Sequence, residues 1–146
     1  MEERLIRVMV VDDHVVVRSG LAAFLLAFDD LQLVGDAEDG EEAVRLCGEV
    51  EPDVILMDLV MPGIGGVSAI RTIHRQWPEV RIIALTSFRD QELVEGALSA
   101  GALSYLLKDV TAVELAQAIR SAYAGHSTLA AAAAEALIHG TDHTPK

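Results

Sequence analysis

The apolar residues of this chain come in short unbroken bursts, and between the bursts they fall at helical intervals. "LIRVMVV" (5–11) runs into the paired acids Asp12 and Asp13, and "VILMD" (54–58) ends on Asp58. "VRIIALTS" (80–87) and "SYLLK" (104–108) are two further bursts, and "QLVGDA" (32–37) is shorter and more polar. Continuous apolar runs of this length, without alternation, are what a strand covered on both faces requires. Helical spacing fills the intervals at residues 15–28, 65–76 and 90–100. The stretch "DGEEAVRLCGEV" opens with an acid and a glycine ahead of another helix, and Thr111 opens the last. Trp77-Pro78 stops the third helix, Gly101 caps the fourth and Gly125 ends the fifth. Five strands alternating with five helices predict an α/β fold: a five-stranded parallel sheet, doubly wound and flavodoxin-like, with helices on both faces. On the first helix, Val17, Leu21, Phe24 and Phe28 form the predicted core stripe, and Val15, Ala22 and Leu26 fall on the opposite side.

After Gly125 the character changes. The segment 126–146, "HSTLAAAAAEALIHGTDHTPK", has an alanine-rich centre of high helix propensity and a polar end. The expected division is therefore a domain over 1–125, then a helix or linker and a frayed tail over 126–146. Of the 146 residues 51% are hydrophobic, enough for a sizeable core. The net charge of −12 argues against direct nucleic-acid binding by this chain, which needs clustered Lys and Arg. Cys47 is the single cysteine, so no intramolecular disulfide forms, as suits a reducing compartment. The opening "MEERLIRV" lacks the apolar region of a signal peptide, and no apolar run has bilayer length. A cytoplasmic protein without membrane contact is the expectation.

In a parallel sheet of this class ligands bind beyond the carboxyl ends of the strands. The polar residues that end the strands are Asp12 and Asp13, then Asp58, then Thr86 and Ser87, then Lys108. The topology predicts that they share one edge. Adjacent carboxylates repel, and a hard divalent cation with oxygen ligands resolves the conflict. Mg²⁺ suits a small open set of carboxylates and a phosphate partner, with Lys108 as a point charge for a phosphoryl group and Thr86 as a hydroxyl donor. Taken singly, each residue has an ordinary explanation: Asp12-Asp13 as a helix N-cap, Asp58 as a turn residue, Lys108 as a solvated charge. His14 reads as a helix-start residue beside the site rather than a ligand. His126, His139 and His143 do not form a metal-spaced set with cysteines.

The segments "VMVVDDH", "VILMDLVMPGIGG", "IIALTS" and "GALSYLLKD", in this order, resemble the receiver domain of two-component response regulators over residues 7–124. The run "DDHVVVRSGL" is similar to the NarL/FixJ (LuxR-type) subfamily, whose members usually carry a C-terminal helix-turn-helix DNA-binding domain. Such a domain does not occur in these 146 residues, so an isolated receiver or a piece of a longer regulator is expected. The resemblance implies a phosphorylated signalling protein that regulates transcription, with Asp58 as phosphoacceptor and a sensor histidine kinase as phosphodonor. It implies Mg²⁺ held by Asp13, Asp58 and the backbone carbonyl of Val60, with Asp12 acting through water. Lys108 would hold a phosphoryl oxygen, Thr86 would move toward the phosphoryl group and Tyr105 would turn inward. Dimerisation through the first and fifth helices is implied too, with Val113 and Ala116 contributing from the fifth. Where the family often has proline after the lysine, Asp109 follows Lys108; a cis bond there would cost ~2.5–4 kcal/mol.

Other classes fit less well. An aspartate-nucleophile phosphatase places a second acid two residues after the nucleophile, where this chain has Val60. The expected chain is thus no enzyme beyond promoting its own Mg²⁺-dependent phosphorylation and dephosphorylation. A flavodoxin-like nucleotide binder wants a glycine-rich loop after the first strand, and "VVDDHV" has none. An atypical receiver that binds partners without being phosphorylated is the remaining alternative.

Overall fold

A computed structural model describes residues 5–87 and 91–126. Its elements are β1 (Ile6–Val11), α1 (Val15–Leu26), β2 (Leu31–Ala37), α2 (Gly40–Val50), β3 (Val54–Asp58), α3 (Gly65–Gln76), β4 (Arg81–Thr86), α4 (Gln91–Ala100), β5 (Ser104–Leu107) and α5 (Ala112–Tyr123). The strands are parallel, in the order β2-β1-β3-β4-β5. This is the expected doubly wound sheet, and its order reverses between β1 and β3.

The unbroken apolar bursts are explained by burial from both sides. Val8, Val10, Val54, Leu56, Ile83 and Leu85 face α1 and α5, where they meet Leu21, Leu25, Leu115 and Ile119. Their neighbours Met9, Val11, Ile55, Met57, Ile82 and Ala84 face α2, α3 and α4, where they meet Ala43, Cys47, Ile70, Ile73 and Ala97. Successive side chains of a strand point to opposite faces, so a doubly covered strand must be apolar at every position. Edge strand β2 is fully buried only at its ends, Leu31 and Ala37, is more polar, and slips register against β1 between Val8 and Met9.

Local signals set the helix ends. The Asp39 carboxylate accepts the Glu42 N–H at 2.8 Å at the start of α2. Thr111 and Glu114 form a reciprocal capping box at the start of α5, at 3.1 and 2.9 Å. Gly101 closes α4 with φ +128°, and a Cβ there would lie 2.4 Å from the His74 ring. Its backbone position therefore serves both the turn and the packing of α4 on α3.

Two expectations about side chains are corrected. The core stripe of α1 is Val17, Leu21 and Leu25, not the predicted set: Leu25 is 1% exposed, whereas Phe24 is 36% exposed. Steps of four keep Leu21 and Leu25 under one another, while Phe24 drifts to the flank. The helix also stops at Leu26, so Phe28 lies beyond it, half-buried with the Arg120 guanidinium 5.2 Å from its ring centroid. Arg120 in turn grips Asp30 through two hydrogen bonds of 2.7 and 2.9 Å, tying α5 to the start of β2. Ala116 is 1% exposed and packs inside the domain, so it is not a surface contact of α5. The alanine-rich segment expected after Gly125 lies, apart from His126, outside the described residues, as do Phe88, Arg89 and Asp90. Among the described residues no helix is long and apolar enough to cross a membrane.

Ile83 is fully buried on the central strand β4 against the α1–α5 layer. Ile83→Ala is expected to cost about 2–5 kcal/mol, read as a lower urea midpoint at unchanged slope.

Candidate functional site

The site lies at the carboxyl edge where strand order reverses. Pairing of Val11 with Met57 places Asp12, the next residue of one strand, beside Asp58 of the other. Asp58 is in register with Leu85, and Thr86 with Leu107, which brings Lys108 to the same edge. Backbone hydrogen bonds extend the ladder through the site residues: Asp12 N–H to the Ala37 carbonyl at 3.1 Å and Lys108 N–H to the Thr86 carbonyl at 2.8 Å. The functional side chains thus hang from a sheet that is rigid by virtue of its core.

Lys108 Nζ sits 2.9 Å from Asp12 Oδ2 and 3.0 Å from Asp58 Oδ1. Asp12 and Asp58 are buried, at 0% and 1% exposure. Burial pushes the Asp58 carboxyl above its ordinary range, and the neighbouring charge of Asp12 pushes the same way. Contacts from Lys108 and from the Val60 N–H pull it back only in part. For Lys108, burial works to lower the pKa, but its two carboxylate partners together hold it above the usual lysine value. One ammonium therefore serves two buried carboxylates, and negative charge remains in excess.

Bonding leaves distinct oxygens over. Asp58 Oδ1 accepts from Lys108 and, at 3.2 Å, from the Val60 N–H, while Asp58 Oδ2 is buried without a hydrogen-bond partner. Asp13 Oδ1 is likewise buried without a hydrogen bond, with the His14 ring 3.2 Å away. Asp12 Oδ2 meets Lys108 as an ion pair, without the angles of a hydrogen bond. Ligand atoms of Asp12, Asp13, His14 and Asp58 all lie within 4.8 Å of one another. Orphaned oxygens next to excess negative charge fit a hard divalent cation.

The loop after Asp58 has a geometric reason for its glycines. A Cβ at Gly66 would lie 2.2 Å from the Asp58 carbonyl oxygen and 2.7 Å from Leu59 Cα. Only glycine lets the first turn of α3 rest directly on the Asp58 backbone. Val60, two residues on, is exposed.

The structure brings Asp12, Asp13, Asp58 and Lys108 together as the strand-end argument expects. Thr86 is buried at the end of β4, one strand from Asp58, and Tyr105 is half-buried on β5 against the α2–α4 layer. The peptide bond after Lys108 is trans. The N-cap explanation of the acid pair is corrected: the N-cap of α1 is His14, and Asp12 Oδ1 accepts its N–H at 2.8 Å. Two residues were undervalued in the sequence. His14 faces both acids rather than merely starting a helix. Arg18, one helical turn later, donates to the Asp12 carbonyl at 2.6 Å and pairs with Asp36 at 3.5 Å. A cavity of about 360 Å³ lies at the opposite, amino edge of the sheet, lined by Cys47, Pro52, Trp77 and Val80 among others, remote from these acids. Burial and the Glu79 charge push the Cys47 thiol up to about 11, so it is inert there.

A parallel sheet in 2-1-3-4-5 order with an acid pocket and a lysine at its switch point defines a class of phosphoryl-signalling domains. The profile of the response regulator receiver domain matches residues 8–120, and the chain belongs to that family. It is 53% identical over 125 residues to the transcriptional regulatory protein LiaR of Bacillus subtilis, covering 86% of this chain and 59% of that protein. It is 44% identical over 121 residues to the response regulator GacA of Pseudomonas viridiflava, covering 83% and 56%. The chain thus spans somewhat more than half the length of these relatives. Among solved structures, the signal receiver domain of the putative response regulator NarL from Mycobacterium tuberculosis superposes with a TM-score of 0.80 at 32% identity, covering 85% of this chain and all of that one. A LuxR-family two-component response regulator from Aurantimonas sp. SI85-9A1 gives 0.79 at 36% identity, covering 84% and 88%. The receiver is of the NarL/FixJ type.

The raised pKa of Asp58 has a sign that can be measured. A carboxyl whose folded pKa exceeds its unfolded value stabilises the fold below the unfolded pKa, and that contribution is lost as pH rises through the folded pKa. At pH 7 ionised Asp58 is therefore a cost to stability. In metal-free buffer Asp58→Asn is expected to melt above wild type at pH 7. The gap should close as pH falls through the raised pKa toward the ordinary carboxylate range, read by calorimetry across pH.

Proposed function

We propose that this receiver accepts a phosphoryl group on Asp58 from a phosphohistidine of a sensor kinase, and that the modification switches the self-association or output of a transcription regulator. The observation that carries the reading is the asymmetry of Asp58: one oxygen engaged by Lys108 and Val60, the other buried and unpartnered beside Asp13. The unpartnered oxygen is the nucleophile. It forms a bond to phosphorus as the phosphorus–nitrogen bond breaks, and the departing imidazole takes its proton from solvent. The product is an acyl phosphate. Lys108, already shared between two carboxylates, follows the new charge onto a phosphoryl oxygen. Asp13, Asp58 and the Val60 carbonyl would hold Mg²⁺, with Asp12 acting through water. Bound there, Mg²⁺ supplies charge neutralisation for the carboxylates and the transferring group.

The phosphoryl group adds charge and acceptor oxygens at the end of β3. Thr86, at the end of β4, would move to donate to them, and Tyr105 on β5 would turn inward behind it. The loop after Thr86 and the face from Asp90 to Lys108 form the two-state element that phosphorylation biases. The curated relatives are named as regulators of transcription or of response, and they are longer than this chain. DNA contact is accordingly assigned to a domain outside these residues, in keeping with the net charge of −12. The cytoplasm, where sensor kinases present their phosphohistidine, is the proposed location.

Self-association is assigned to α1 with the start of α5. Val15, Val16 and Leu26 are 64%, 83% and 81% exposed, and Val113 is 58% exposed. A helix apolar on two sides pairs with something or aggregates.

Two measurements test these assignments. With Mg²⁺ and acetyl phosphate, intact mass should rise by one phosphoryl group in wild type and not in Asp58→Ala. An equal gain in both moves the site elsewhere, and no gain in either favours a receiver that acts by binding alone. Light scattering with and without phosphodonor should show a larger species in wild type that Leu26→Glu abolishes while the melting temperature is kept. A monomer in both states removes α1 as an association face.

A further inference from the structure

His14 has no place in the phosphoryl chemistry above, yet it stands at the acids. Its Nδ1 is 3.2 Å from Asp12 Oδ1 and 3.2 Å from Asp13 Oδ1. Its backbone is fixed, because its N–H donates to Asp12 Oδ1 at 2.8 Å and its carbonyl accepts the Arg18 N–H at 2.9 Å. Lys108 binds the other oxygen of Asp12, so lysine and imidazole approach that carboxylate through different oxygens. The three buried oxygens without hydrogen bonds, on Asp12, Asp13 and Asp58, belong to the same cluster, and that of Asp12 is the one paired with Lys108.

The Nδ1–Asp12 Oδ1 contact is a hydrogen bond, and its length is also close to a ligand edge in a coordination shell. With metal–ligand bonds of ~2.1 Å, adjacent ligand atoms of an octahedron are about 3.0 Å apart. An imidazole nitrogen 3.2 Å from two carboxylate oxygens is already at ligand-edge distance from both. The ring is 64% exposed and makes no cap hydrogen bond to α1, so helix geometry does not require it there.

We propose that His14 is a ligand of the metal site, giving it one nitrogen among its oxygens. The site then favours divalent metals that accept imidazole, such as Co²⁺, over Mg²⁺ by more than its carboxylates alone would. Mg²⁺ is a hard cation that takes oxygen, whereas imidazole suits the later first-row metals. The proposal rests on the reading of the acid pocket as a divalent-metal site. It concerns which metal the pocket prefers and not whether phosphoryl transfer occurs.

Calorimetric titration of the full chain with CoCl₂ and with MgCl₂ decides it, using wild type, His14→Ala, His14→Gln and Asp13→Asn. Exposed His14 can be replaced without disturbing the core. His14→Ala and His14→Gln are each expected to weaken Co²⁺ binding by about tenfold or more and to leave Mg²⁺ binding within about twofold. The visible bands of bound Co²⁺ should move to longer wavelength in both variants, as loss of a nitrogen ligand weakens the field. Asp13→Asn keeps every histidine of the chain and should lose tight binding of both metals, which separates the pocket from His74, His126, His139 and His143. Equal Co²⁺ affinity and an unchanged spectrum without His14 would overturn the proposal. So would an equal loss of both metals, which would make His14 only an orienting partner of the acids. If wild type binds neither metal, or Asp13→Asn binds both as wild type does, the metal reading of the pocket fails first and the proposal with it.

Discussion

Everything at the functional edge depends on two carboxylates held out of water with one lysine between them. Asp12 and Asp58 are buried, and Lys108 touches both at 2.9 and 3.0 Å. Removing charge from water is expensive, and one ammonium cannot compensate two carboxylates with a third alongside. Burial above all, with the neighbouring charge of Asp12, keeps Asp58 harder to ionise than an ordinary aspartate, and the remaining imbalance leaves the pocket negative. A domain meant only to be stable would gain by replacing this cluster with apolar residues. Its presence marks the edge as the place where stability yields to function.

Such a cluster persists because its support does not yield. Central strands β1, β3 and β4 are apolar on both faces and are sealed by α1 and α5 on one side and by α2, α3 and α4 on the other. The site residues leave from the ends of those strands, while their backbones stay in the hydrogen-bond ladder. Gly66 then lets α3 rest on the Asp58 carbonyl with no side chain between them. Position is thus set by the core, from which the side-chain termini of the site project.

The first helix joins several roles. Its buried stripe, Val17, Leu21 and Leu25, packs on the sheet, and its N-cap His14 meets the acids. Arg18 fixes the Asp12 carbonyl and pairs with Asp36 of β2, while Leu26 and Val15 stay in water. One element therefore touches the core, the pocket and the surface proposed for self-association. A charge change at the pocket and a contact at the surface act on the same rigid rod, a physical route by which the two can be coupled.

How much of this was legible in the chain differs by kind of residue. The unbroken apolar runs identified the central strands β1, β3 and β4 because a doubly covered strand favours apolar residues throughout, and the acids and lysine that end the runs marked the binding edge. The Thr111 cap was readable for a local reason: its signal is made and satisfied within one turn. The exchange of Phe24 for Leu25 in the core was not readable, since both lie within the apolar arc and only the angle at which α1 meets the sheet selects between them. Ala116 faced inward for the same reason. Nor could the chain say that Lys108 pairs with Asp12 and Asp58, or that His14 faces Asp12 and Asp13, because those contacts depend on side-chain directions across separate elements. By itself the sequence determined the elements, their order and the chemistry available at one edge. The tertiary structure alone decided which oxygens are bonded and which are left over, because that depends on distances of a few ångströms between residues far apart in the chain.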